Sequence, residues 1–203
     1  MDRKRELADK MQIRQWGKLK FHDCVNVLAS WDAVILRTDW SQLSSAEQRL
    51  RGKNQKGLRE HVQAAIFGWL ISQSQSIECI QIAPTDTEDH DAIFRWFVPP
   101  NTLAYAPIQL KELVPQDVAT GGSLQGLIDR LPEKYPNSPQ LIVAICHSRA
   151  NTNGRIEIRI PSKLKIAGLY VFGSCSEDGA LQFITGNLIA GGFEVLKIAL
   201  PGR

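Results

Sequence analysis

The stretch that most constrains this chain is LIVAIC, residues 141–146, inside QLIVAICHS. A strand that is apolar on both faces must be covered on both faces. That is the situation of a central strand in a helix-flanked, partly parallel sheet. The run is far too short to cross a bilayer. The start, MDRKRELADK, is charged and has no apolar segment behind it. Neither a membrane span nor a secretory leader is expected.

The rest of the chain divides in two. The first third reads as helices. Residues 3–16 suit a basic helix, and 21–37 carry Phe21, Val25, Leu28, Ala29, Asp32 and Leu36 at roughly helical spacing. Ser44 with Glu47, or Ser45 with Gln48, offers a capping box. LREHVQAAIFGWLIS (58–72) places Leu58, Val62, Ala65, Ile66, Trp69 and Leu70 on one stripe. After it the character changes. ECIQIAP (78–84) and AIFRWFV (92–98) suit strands around an acidic loop, TDTEDHD, and PPN (99–101) suits a turn. A third strand follows, and then a helix over about 123–134 capped by Ser123. Beyond LIVAIC, the segments RIEIRIP, KIAGLYVFG and ALQFITG suit further strands.

Three consecutive strands imply an antiparallel meander, and a helix leading into LIVAIC implies a crossover to a parallel neighbour. The expectation is an α/β fold, a mixed central sheet flanked by helices. Residues 1–57 would form a helical N-terminal extension, and 58–203 a core with a β-rich end.

The third strand, AYAPIQLKEL (104–113), poses a chemical question. Ala106, Ile108 and Leu110 share one face, while Gln109 and Lys111 share the other. An amphipathic strand with a solvent face gives the same alternation. Pro107 within it implies an edge position or a bulge.

Bulk properties narrow the functional classes. The four cysteines (Cys24, Cys79, Cys146, Cys175) form no CxxC pair, which argues against a zinc knuckle or a redox pair. Reduced, mostly buried thiols of a cytoplasmic protein are expected. His22, His61, His90 and His147 lack metal-ligand spacing, and no P-loop, GxGxxG or GxSxG occurs. Net charge is +3, unevenly spread. Residues 1–59 hold 13 Lys+Arg and 7 Asp+Glu, a surplus of +6; residues 60–203 hold 11 and 14, a balance of −3. A basic part beside a mildly acidic remainder suits a polyanion partner; a solvated helix face gives the same charge run.

The order helix–β–β–β–helix–β, with a polar pair on the third strand, resembles the PD-(D/E)XK superfamily of restriction-endonuclease-like nucleases. The resemblance covers roughly residues 58–148. It implies Glu60 from LREHVQAAI, Asp91 from HDAIFRW, and Gln109 and Lys111 from IQLKE as the catalytic set. Asp91, Gln109 and Glu60 would be ligands to Mg²⁺ or Mn²⁺, and Lys111 would orient or deprotonate the attacking water. Two positions depart from the family pattern. Gln109 stands where Asp or Glu is commoner, and brings an oxygen without a charge; His90 stands where Pro is usual. The implied activity is a Mg²⁺-dependent DNA endonuclease of restriction, defence, mobile-element or repair type. DNA phosphates would be held by Arg49, Arg51, Lys53, Lys56 and Arg59, with Lys18 and Lys20 beside the basic residues Arg3, Lys4, Arg5 and Arg14. A homodimer is expected from the need to cut two antiparallel strands. The alternatives are a non-catalytic nucleic-acid-binding or protein-interaction module on the same fold, and an assembly protein using the β-rich end.

Overall fold

The computed structural model describes residues 11–42, 50, 52, 55–85, 87, 89–114, 122–148, 158–176 and 180–201. The capping box at 44–48 and Arg3, Lys4, Arg5, Arg49, Arg51 and Lys53 lie outside them. Among the described residues the chain forms one eight-stranded sheet. Its strands are β1 (His22–Asp23), β2 (Ile80–Pro84), β3 (Ala92–Val98), β4 (Thr102–Leu113), β5 (Ser138–His147), β6 (Ile166–Ser174), β7 (Leu181–Thr185) and β8 (Val195–Ala199). They stand in the sheet in chain order, β1 to β8.

β1 through β4 form an antiparallel meander. β5 runs parallel to both β4 and β6. β7 and β8 return antiparallel. The meander, the PPN turn and the parallel neighbour of LIVAIC are therefore as expected. β5 lies between two strands, as its unbroken apolar sequence requires.

Helices cover both faces. Helix α1 (Cys24–Arg37) starts where Asp23 accepts the Val25 and Asn26 amides, the ordinary way of satisfying the first free N–H groups of a helix. Helix α2 (Lys56–Ser74) buries Ala64, Ala65, Phe67, Leu70 and Ile71 against Ile80, Ile82, Phe94, Ile108, Leu110 and Phe172. Phe67 anchors this layer, with its ring centroid 5.3–5.7 Å from those of Phe94, Tyr170 and Phe172. Removing such a side chain costs ~3–5 kcal/mol. On the other face, α3 (Leu124–Asp129) and α4 (Leu131–Lys134) bury Leu124, Ile128 and Leu131 against Leu113, Val143, Ile145, Leu169 and Val171. β1 and α1 share the core of α2, so the described part of the N-terminal region packs into the same layers.

Several expectations are corrected. The helix expected over 123–134 is two short ones. Pro132 stands in the first turn of the second, and it has no N–H to return to the first. RIEIRIP is not a strand over its described residues 158–161. Ile158 and Ile160 pack on the second core as irregular chain, and the side chain of Gln125 satisfies both backbone groups of Arg159. Pro107 lies on a central strand, one residue before the β4–β5 ladder begins at Ile108↔Ile142. Its missing N–H therefore falls just outside that ladder. Of the four free thiols only Cys24 is fully buried; the others are half-buried. No described helix is long and apolar enough to cross a membrane.

Candidate active site

The site is built where β3 begins and β4 continues past it. The β3–β4 ladder ends at Ala92↔Ile108, so residue 110 has no strand opposite it on that side. Asp91 fills the gap. Its backbone is fixed on two sides: its N–H donates to the Ile108 carbonyl (2.8 Å), and its carbonyl accepts from Thr85 N (2.9 Å). The preceding turn is tied by Thr85 and Thr87, whose hydroxyls donate to the His90 carbonyl (2.8 and 2.9 Å). So held, Asp91 turns its carboxylate toward β4. Oδ2 accepts from the Leu110 N–H at 2.7 Å and from Nε2 of Gln109.

Gln109 is 4% exposed, unlike the amide of a solvent-facing strand. Its Nε2 also lies 3.3 Å from the Leu110 carbonyl oxygen. The amide N–H group thus sits between two oxygens, while Oε1 is buried without a hydrogen-bond partner. A buried acceptor left unmatched costs ~1–3 kcal/mol, and calls for an explanation.

Lys111 projects to the same face as Gln109, toward α4. Its Nζ stands 5.7 Å from the centre of the Tyr135 ring. Burial, and then the Lys134 ammonium beside it, push the Lys111 ammonium down to about 8; Asp91 and Glu60 pull the other way. The charge of Asp91 also raises Lys134 and Tyr135, as a minor cause in each. Five side chains, Asp91, Gln109, Lys111, Lys134 and Tyr135, therefore share one electrostatic neighbourhood.

Glu60 reaches it from the opposite layer. It stands on α2, and its charge acts on Lys111. Its own carboxylate lies 3.5 Å from Lys56 Nζ. Arg59 is engaged elsewhere: Nε lies 3.5 Å from Glu112, and a terminal nitrogen donates to the Leu50 carbonyl at 3.0 Å. Lys18, Lys20 and Lys56 are exposed.

Sequence reading missed Lys134 and Tyr135. A basic residue in the last turn of a helix is the usual complement of the helix dipole. Only the packing of α4 beside β4 gives Lys134 a second meaning.

Oxygen atoms are the only donors that could hold a cation here among the described residues. Among the described residues no three His, Cys, Asp or Glu side chains converge. The candidates would be the Asp91 carboxylate, the unmatched Gln109 Oε1 and the Leu110 carbonyl. Oxygens from side chains and backbone are what Mg²⁺ and similar ions take. The histidines form no such set. His22 and His61 meet edge-on with ring centres 6.1 Å apart. They line a cleft of about 530 Å³ between α1, α2 and β2, together with Phe21, Trp31, Leu58 and Gln81.

No family model, no curated protein and no solved structure matches this chain.

Proposed function

We propose that the chain is a Mg²⁺-dependent DNA endonuclease with a restriction-endonuclease-like core. The observation that carries the reading is the Gln109 amide placed between the Asp91 carboxylate and the Leu110 carbonyl, with its own oxygen unmatched. A half-turn of that amide group would aim Oε1 at the space Nε2 now fills. Asp91, Gln109 and the Leu110 carbonyl would then face one cation. The order α2–β2–β3–β4–(α3, α4)–β5, with Lys111 two residues after Gln109, supports the same reading.

The cation would supply Lewis-acid polarisation of the phosphoryl oxygen and a more acidic water. Asp91 brings the single strong charge that binds it. Gln109 adds a neutral oxygen, so affinity should be lower than with two carboxylates. Glu60 contributes field from the far layer and can bind through water. Lys111, with a proton affinity close to neutral pH, can take a proton from water or hold charge building on the phosphate. Exposed Lys18, Lys20 and Lys56 can hold backbone phosphates.

The same hydrogen bond favours one rival reading. An amide that already fills the gap leaves a site satisfied without a cation, as a non-catalytic nucleic-acid-binding or protein-interaction module would have. Phe193, Val195 and Leu196, exposed on and just before β8, add to that reading.

Plasmid nicking with Mg²⁺ or Mn²⁺ decides between them, using EDTA, Asp91→Ala and Lys111→Ala as controls. Cleavage lost in all three controls supports the enzyme. Salt-sensitive DNA binding without cleavage in the wild type supports the module.

A further inference from the structure

Three proton donors meet on the α4 side of the site. Lys111 Nζ and Lys134 Nζ stand 5.7 and 5.5 Å from the centre of one ring, that of Tyr135. The ring is 5% exposed, and its hydroxyl is sealed from solvent without a hydrogen-bond partner. Burial makes that hydroxyl harder to ionise, and the Lys134 ammonium beside it pulls the other way. Neither lysine is in an ion pair among the described residues. The cost falls on Lys111, whose ammonium is disfavoured by burial and then by the exposed Lys134 ammonium beside it. The Tyr135 hydroxyl next to them is buried without a hydrogen-bond partner. Asp91 is close enough to act on both lysines but is committed to Leu110 and Gln109.

One ligand resolves all three. We infer that Lys134 and Tyr135, together with Lys111, form an oxyanion subsite that holds a phosphate of the nucleic-acid backbone next to Asp91 and Gln109. A tetrahedral anion offers oxygens in several directions, so two ammonium groups can share it and lose their repulsion. For the Tyr135 hydroxyl to join them, its buried ring must turn toward the same group on binding. A carboxylate ligand fits less well: its two oxygens lie in one plane, and the neighbouring Asp91 repels it at close range without the compensating third donor. The subsite presupposes that this cleft takes a phosphodiester, and it assigns α4 the task of holding it.

The test is binding in EDTA, so that no cation takes part. The full chain is titrated with inorganic phosphate, with the dinucleotide pTpT and with its 5′-hydroxyl counterpart TpT, followed by calorimetry. Lys134→Ala should weaken phosphate and pTpT binding about tenfold or more, the loss of one charge-assisted contact. Lys134→Arg should keep most of the affinity. Tyr135→Phe, which preserves the packed ring, should weaken binding about threefold to tenfold. Lys197→Ala on β8 should change nothing. Weaker binding of TpT than of pTpT places the terminal phosphate in the subsite; equal binding of the two places the internal phosphodiester there. Wild-type affinity in Lys134→Ala, equal losses in Lys197→Ala, or no phosphate binding by the wild type would each overturn the subsite. Plasmid cleavage is scored separately. Lys134-dependent phosphate binding without metal-dependent cleavage keeps the subsite and removes the nuclease. Cleavage by a chain whose phosphate binding ignores Lys134 does the reverse.

Discussion

Gln109 donates its amide hydrogen to the carboxylate of Asp91, eighteen residues earlier in the chain and across the start of the β3–β4 ladder. The bond joins a neutral side chain to a charged one, and its strength depends on that difference. Gln109→Glu tests it. Two carboxylates in one buried corner repel, so one takes up a proton well above the usual carboxylate range. In EDTA at neutral pH the variant should lose ~1–3 kcal/mol of stability. The loss should shrink as pH falls and the shared proton binds. Mg²⁺ should raise the melting temperature of the variant more than that of the wild type. A melting temperature indifferent to both pH and Mg²⁺ would mean that the two side chains share no site.

Lys111 carries a cost that its replacement should remove. Its proton affinity is lowered from 10.5 to about 8, first by burial and then by Lys134. Below pH 8 the folded and unfolded chains both hold the proton, and the penalty is complete. Between 8 and 10.5 the unfolded chain binds more protons, so wild-type stability should rise with pH. Lys111→Met in EDTA should therefore be more stable near pH 7 by roughly 1–2 kcal/mol, discounted for partial exposure. The advantage should vanish by about pH 10.5. Urea unfolding at three pH values measures it.

Asp23 performs two tasks with two oxygens. Oδ1 caps α1, and Oδ2 accepts from Cys79 Sγ at 2.8 Å. Burial, and then Asp23, hold the Cys79 thiol up at about 11. Asp23→Asn keeps a capping oxygen and removes the charge. Alkylation of Cys79 by iodoacetamide at pH 8.5, read by mass spectrometry, should become roughly threefold to tenfold faster. An unchanged rate would leave burial as the whole cause.

Two glycines should respond oppositely to alanine. A Cβ on Gly173 would stand 2.4 Å from the His147 carbonyl oxygen, so backbone must move. Gly173→Ala should cost at least ~2–3 kcal/mol. A Cβ on Gly57, in the first turn of α2, meets nothing within 4 Å. Gly57→Ala should stabilise by up to ~1 kcal/mol. Paired thermal melts give both signs.

Much of the frame was legible because it depends on local pattern. LIVAIC demanded two covered faces, and the stripe on residues 58–72 demanded a sheet to pack on. Asp91 and Gln109 were foreseeable as neighbours because a single hairpin joins them. What escaped depends on partners distant in sequence. The alternation in RIEIRIP reads as a strand, but Gln125 supplies the hydrogen bonds that another strand would have. β8 is exposed except at Ile198, which packs on the first core, so no periodicity announced it. Pro107 looked like an edge residue because sequence cannot show where a parallel ladder starts. Arg59 looked free for phosphate until Glu112 and the Leu50 carbonyl were placed beside it.

The sheet keeps its strands in chain order. Each strand can therefore zip onto the one made just before it, and β3 and β4 need only the short closures 85–91 and 99–101 to do so. The entropy of closing a loop grows with the logarithm of its length, and local closures are reached soonest. The acid and the amide of the site stand at the open end of the hairpin that the shortest of these closures joins. Lys111 rides on the same hairpin, whereas Lys134 and Glu60 come from helices on opposite layers. A folding chain would thus bring Asp91, Gln109 and Lys111 together first, and add Lys134 and Glu60 only when the two helical layers dock.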